Sequence, residues 1–238
     1  MILKIEDGIA FTMGKGKNWR VVHPEMGSQE ITMNYALHLP GVEFTQHIHE
    51  YSEDVIIILE GEGSIRQGDK YTSIKKDEII FIPAGEVHGT VNTSNGLLRM
   101  VSFQSPPDMA LYRGEKDKNV KAIPRPTKGH RSEVVILTLQ KGSPIFIDEF
   151  EWRSVVCKNI GAKHLGVDYI VIKKGKHFET DKAKKEEIYF IINGSGIVKI
   201  GNNRESIKNN NLLYLKSGEK FTLESNSSEI SLIRAYVL

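Results

Sequence analysis

His47, His49 and the acidic pair Glu53-Asp54 stand between two glycines in the spacing G-x5-H-x-H-x3-E-D-x6-G, from Gly41 to Gly61. A second block, Asp77 to Asn92, reads D-x5-P-x-G-x2-H-x3-N through Pro83, Gly85 and His88. Three imidazoles and a carboxylate form a donor set for iron, manganese, nickel, copper, cobalt or zinc, and they suit calcium and magnesium poorly. The other histidines His23, His38, His130 and His164 lack such company and read as packed or solvent-facing residues.

Positioning these groups requires strands. In an extended chain alternate side chains share a face, so His47 and His49 present both rings to one side of a sheet. The acidic pair opens the run Val55-Ile56-Ile57-Ile58-Leu59, whose length and β-branching are those of a buried strand. Ile79-Ile80-Phe81-Ile82 predicts a further strand, Pro83-Ala84-Gly85-Glu86 a turn, and His88 opens the next strand. Further strands are expected near 31 to 39 and 97 to 103, then near 167 to 173, 187 to 193, 196 to 200, 212 to 215, 219 to 223 and 229 to 236. Glycine turns join them, and helical periodicity is almost absent.

Both blocks resemble the two signature motifs of the cupin superfamily. The resemblance implies an all-β fold of two double-stranded β-helix (jelly-roll, cupin) barrels in tandem. It also implies that His47, His49, Asp54 and His88 are metal ligands. Two departures stand out. The family usually has Glu where this chain has Asp54, with Glu53 beside it on the opposite face of an ideal strand. Either Asp54 ligates despite being one methylene shorter, Glu53 substitutes for Asp54 through a local bulge, or three histidines hold the ion alone. Asp77 replaces the family's usual Gly at a turn, which Asp tolerates.

The chain carries internal similarity. Trp19-Arg20-Val21-Val22 returns as Trp152-Arg153-Ser154-Val155-Val156, Gly41 as Gly175, Asp54 to Gly61 as Glu187 to Gly194, and Pro83-Ala84-Gly85 as Lys216-Ser217-Gly218, at offsets of 133 or 134. We therefore expect an N-terminal metal-binding barrel over 1–110, a linker over 111–131 and a C-terminal barrel over 132–238. A Pro-rich, charged stretch from about 105 contains a short helix near Asp108 to Tyr112. In the second copy Asp181, Ala183 and Phe221 replace the three histidines, Ser225 replaces Asn92, and only the acid persists, as Glu187. One metal per chain is expected, because a lone carboxylate opposite Phe221 is a poor site even with His177 nearby.

With 32 basic and 30 acidic residues interspersed, the net charge of +2 gives no basic stripe, and nucleic-acid binding is not expected. The stretch Lys182 to Lys185 reads as a solvated loop. No apolar run approaches a membrane span and the first residues do not read as a signal peptide, so a cytoplasmic protein is expected. The one cysteine, Cys157, is expected to be a bystander within a strand.

The resemblance implies a metalloenzyme acting on a small oxygen-rich organic molecule that chelates the metal. Dioxygenase chemistry is favoured, because nitrogen and carboxylate ligation with open positions suits ferrous ions. Metal-dependent isomerase, decarboxylase or lyase activity and non-catalytic small-molecule binding are the alternatives. The ureide-degrading aminohydrolases are similar in size and two-barrel plan, but they hold their metal in the second barrel. Arg66, Arg99, Gln46, Tyr35 and Gln104 are candidates to face the cavity and grip an anionic oxygen. A monomer that mimics a cupin dimer is as consistent with the sequence as a homodimer.

Overall fold

The computed structural model describes residues 1–115, 132–147, 149–226 and 228–238. Most of the expected linker, 111–131, lies outside them, as does His130. The described residues are almost entirely β and form two seven-stranded and two four-stranded antiparallel sheets. Each long sheet faces a short one across an apolar interior, which gives two jelly-roll barrels.

The first long sheet runs in space as Val135–Thr138, Glu78–Ile82, Glu53–Glu60, Leu98–Ser105, Thr32–His38, Lys17–Val22 and Ile9–Phe11. The second follows the same order with Ile2–Lys4, Asn211–Leu215, Glu187–Asn193, Ile230–Val237, Leu165–Ile172, Phe150–Val156 and Ile145–Ile147. The short sheets are Glu43–His47, His88–Val91, Glu62–Gln67, Lys70–Lys75 and, in the same order, His177–Glu179, Thr222–Ser225, Ser195–Ile200, Asn203–Lys208.

The end strands are exchanged. Ile2–Lys4 lies in the sequence of the first barrel yet pairs with Asn211–Leu213 of the second. Val135–Thr138 comes from the second half and pairs with Glu78–Phe81 of the first. The sheets in space therefore depart at both ends from the boundaries drawn along the sequence at 110 and 132. Strands of three and four residues carry too little periodicity to announce a partner.

The run from Val55 to Ile58 is apolar without interruption because the strand is buried on both faces. Ile56 and Ile58 point into the first barrel with Ile65, Ile80, Ile82 and Met100. Val55 and Ile57 point the other way, into a core shared between the barrels, against residues that include Val167, Ile188, Phe190 and Ile233. Each such aliphatic side chain contributes about 1.5 to 3 kcal/mol on burial, so the inter-barrel layer is as much a core as either interior.

The same alternation separates the acidic pair. Asp54 faces the first barrel, whereas Glu53 faces the second, where its carboxylate accepts backbone N–H bonds from Lys163 (2.8 Å), His164 (2.8 Å) and Leu165 (3.0 Å). Glu186 returns the arrangement, accepting from the backbone N–H groups of Gln29, Glu30 and Ile31. Cys157 lies just past the strand Phe150–Val156, half-buried and caps a short 3-10 turn, so it ends the expected strand and does not lie within it.

Candidate metal centre

His47 ends the strand Glu43–His47 and stands opposite His88 in the antiparallel ladder, so the pairing register brings the two blocks together. His49 lies two residues beyond the end of the first strand. It is held there by the turn of the second block, where the Gly85 N–H donates to the His49 carbonyl at 2.8 Å. Gly85 has φ of 88°, a conformation that a side chain would strain.

Each ring is fixed through Nδ1. His47 Nδ1 lies 2.9 Å from the Thr45 carbonyl, His88 Nδ1 lies 3.0 Å from the Glu86 carbonyl, and His49 Nδ1 lies 2.7 Å from Asp108 Oδ2. With every Nδ1–H donated, the Nε2 lone pairs are the ones left to converge. They do so: the ligand atoms of His47, His49 and His88 all lie within 4.8 Å of one another, and all three residues are buried. His47 Nε2 and His49 Nε2 are 3.0 Å apart. Asp54 Oδ2 lies 3.6 Å from His88 Nε2 and 3.9 Å from His49 Nε2. Donors about 2.1 Å from a single ion stand about 3.0 to 3.5 Å from each other, close to this spacing.

Among the buried atoms without hydrogen-bond partners, His88 Nε2 and Asp54 Oδ1 lie beside this focus. Orphaned polar atoms in a sealed interior are costly, and a cation at the focus would relieve both. Burial lowers the pKa of His49, against the raising effect of its hydrogen bond to Asp108, so the ring favours its neutral, metal-competent form. The donor set fits a divalent transition metal.

Asp108 is the residue that motif reading missed. It caps the short helix Met109–Tyr112, with Oδ1 accepting from the N–H groups of Ala110 (3.0 Å) and Leu111 (3.3 Å), while Oδ2 holds His49. The expected helix near 108 to 112 is present; its capping residue also braces the site. Gln104 is placed by the same segment. Its Oε1 accepts the Asp108 N–H at 2.8 Å, which turns Nε2 to within 2.9 Å of His49 Nε2.

The remaining candidates go elsewhere. Glu53, the expected substitute for Asp54, is spent on the inter-barrel N–H groups. Arg66 pairs with Glu43, Arg99 pairs with Glu60, Gln46 binds the Gly68 backbone, and Tyr35 packs on Trp19. Of the five residues proposed to line the cavity, only Gln104 does so.

The cavity above the histidines has a volume of about 40 Å³. The second barrel has a cavity of its own, lined by residues that include Phe178, Glu187, Tyr189 and Arg234. Strand register aligns Asn34 and Ser102 with Asp168 and Arg234. In the second barrel Arg234 bridges Glu187 (2.7 Å) and Asp168 (3.1 Å), and Phe178, Tyr189 and Phe221 pack as a ring cluster around them. Glu187, the one retained acid, also accepts the Tyr189 hydroxyl at 2.6 Å.

Comparison with known proteins agrees with this geometry. The family model of the Cupin domain matches residues 36–103, the stretch that supplies His47, His49, Asp54 and His88. The tetracenomycin polyketide synthase protein TcmJ of Streptomyces glaucescens is 29% identical over 91 residues, covering 38% of this chain and 51% of that protein. The polyketide synthase protein CurC of Streptomyces cyaneus is 26% identical over 105 residues, 44% of this chain and 68% of that one. The chain thus spans about half of the first relative and 68% of the second. Among solved structures, a glyoxylate-induced protein from Pseudomonas aeruginosa superposes with a TM-score of 0.76 at 12% identity, over 97% of this chain and 84% of that one. Oxalate decarboxylase of Bacillus subtilis, described with Mn(II) centres, superposes at 0.73 and 11% identity, over 99% and 76%. These structures share the fold over 97% and 99% of the chain. No helix among the described residues is long and apolar enough to cross a membrane.

Proposed function

We propose, from the match of residues 36–103 to the Cupin domain, that the N-terminal barrel of the chain is a metal-dependent enzyme for a small, oxygen-bearing organic molecule that chelates the ion. His47, His49 and His88 hold the metal through Nε2, and Asp54 completes the set or accepts a hydrogen bond at its edge. The observation that carries this reading is the threefold Nδ1 bracing that aims three Nε2 lone pairs at one buried focus.

A divalent ion bound there supplies Lewis acidity and, where the metal is redox-active, electron transfer. The chain's own residues supply the setting. Phe11, Phe44, Ile56, Met100 and Leu111 exclude water, Gln104 Nε2 directs an N–H into the site, and Asp54 Oδ1 accepts a proton or hydrogen bond from substrate. We favour dioxygenase chemistry, with isomerase, decarboxylase or lyase chemistry as the alternative.

Elemental analysis of the purified parent beside the His47→Ala/His88→Ala double variant tests the metal: about one ion per chain is expected in the parent and near none in the variant. The two proteins should share one circular dichroism spectrum, since the apolar cores hold the fold. Turnover assays under anaerobic conditions then separate the chemistries, because loss of product without dioxygen supports the oxygenase and retained product eliminates it.

A further inference from the structure

Among the described residues, the walls of the cavity carry no lysine and no arginine. The three guanidinium groups nearest in sequence to its strands are committed elsewhere: Arg66 to Glu43, Arg99 to Glu60, and Arg20 to a position sandwiched between the rings of Phe11 and Tyr112, each 4.7 Å away. Arg20 also donates to the Leu111 carbonyl. Asp54 is the only carboxylate among the described residues of the lining. The positive charge available to a ligand is therefore that of the ion, less the unit that Asp54 cancels. A dianionic chelator would bring charge that nothing in the walls compensates.

The unpartnered buried atoms of the lining point in the same direction. Asn18 Nδ2 donates to the Gly16 carbonyl at 3.1 Å, which fixes Oδ1 as an acceptor, and that oxygen is buried without a partner. Asn34 Oδ1 is also buried and unpartnered. Both residues line the cavity. Two waiting acceptors call for a ligand that donates, and a carboxylate cannot. The large apolar side chains of the lining are Phe11, Phe44, Ile56, Met100 and Leu111, with Phe11 and Phe44 edge to face at 6.3 Å. Aromatic and thioether walls suit a flat ring.

We propose that the N-terminal cavity takes an uncharged ring compound bearing adjacent phenolic or enolic hydroxyls and discriminates against small dicarboxylates. The inference rests on the metal reading above, with Asn18 and Asn34 as its specificity-determining residues.

Isothermal titration calorimetry at pH 7 on the metal-loaded parent, with catechol and oxalate as the two probes, tests it directly. Catechol should bind at least tenfold more tightly than oxalate. Asn18→Leu conserves volume and removes one acceptor, and it should weaken catechol about five- to tenfold while leaving the oxalate affinity unchanged. Oxalate binding equal to or tighter than catechol in a metal-loaded protein overturns the ligand class and leaves the metal reading standing. A protein that purifies and reconstitutes without metal yet binds catechol with the Asn18 dependence overturns the metal reading and keeps the ligand class. Binding of neither probe overturns the proposal. Because the parent comparison needs no variant, misfolding of Asn18→Leu does not shield it.

Discussion

Asp108→Asn separates what Asp108 does for the helix from what it does for the metal site. In the parent, Oδ1 caps two backbone N–H groups, and Oδ2 accepts His49 Nδ1–H at 2.7 Å. Asparagine caps helices as well as aspartate does, so the turn keeps its oxygen acceptor. The new amide nitrogen, however, cannot accept from Nδ1–H. In the metal-free protein the imidazole answers by changing tautomer, so that Nδ1 accepts from the amide and Nε2 carries the proton. The hydrogen bond survives and the fold loses little, but Nε2 no longer offers a lone pair to the focus. Metal binding must then reverse the tautomer and break that bond, a cost of about 1.5 to 3 kcal/mol, or roughly ten- to a hundredfold in affinity. Competition between protein and an indicator chelator for Co(II) reads the affinity, nitrogen-15 NMR of the imidazoles reads the tautomer, and thermal melting of the metal-free protein reads stability. An unchanged Co(II) affinity, or a metal-free melting temperature that falls as far as that of Asp108→Ala, would refute the assignment.

Three further outcomes are expected. Glu53→Gln removes the charge from a buried carboxylate that accepts three backbone N–H bonds, so it should cost about 2 to 3 kcal/mol and about 5 to 10 °C in melting temperature, with the metal content unchanged. Loss of metal instead would show that Glu53 reaches the site. His38 is fully buried, and burial lowers its pKa to about 4. Its folded state therefore prefers the neutral ring while the unfolded chain takes up protons below about pH 6.5. The stability it confers is intact above that pH and is lost as pH falls toward 4, by about 3 kcal/mol in full. Urea denaturation across that window should lose this slope in His38→Leu. Gly61 has φ of 79°, and a Cβ there would stand 1.9 Å from the Leu97 carbonyl oxygen, so Gly61→Ala should destabilise by more than about 2 kcal/mol, with a urea midpoint too low to confuse with a surface change.

The histidine spacing was legible because both of its elements are local: alternation sets His47, and the hairpin after Pro83 sets His88. Asp54 and Glu53 were separable in principle, since strand alternation assigns them opposite faces, and the structure gives Glu53 three N–H donors from the other barrel while Asp54 Oδ2 lies 3.6 Å from His88 Nε2. Asp108 was illegible because it sits 59 residues after His49, in a Pro-rich stretch whose pattern speaks only of a cap. The arginines misled for a related reason. Guanidinium groups near a predicted site read as anion grips, but whether a nearer carboxylate such as Glu43 or Glu60 claims them depends on cross-strand neighbours that spacing does not encode.

The exchanged end strands and the two returned glutamates make the halves of this chain mutually unfinished. Expressed alone, a fragment ending at 115 lacks the neighbour of Glu78–Ile82 and leaves Glu53 sealed against nothing, while its own first strand has no edge to join. Such a fragment should be sticky and short-lived. Supplied together, the two pieces hold complementary tongues and slots and should reconstitute a working whole, which makes the junction a natural place to build a split reporter whose signal depends on reassembly.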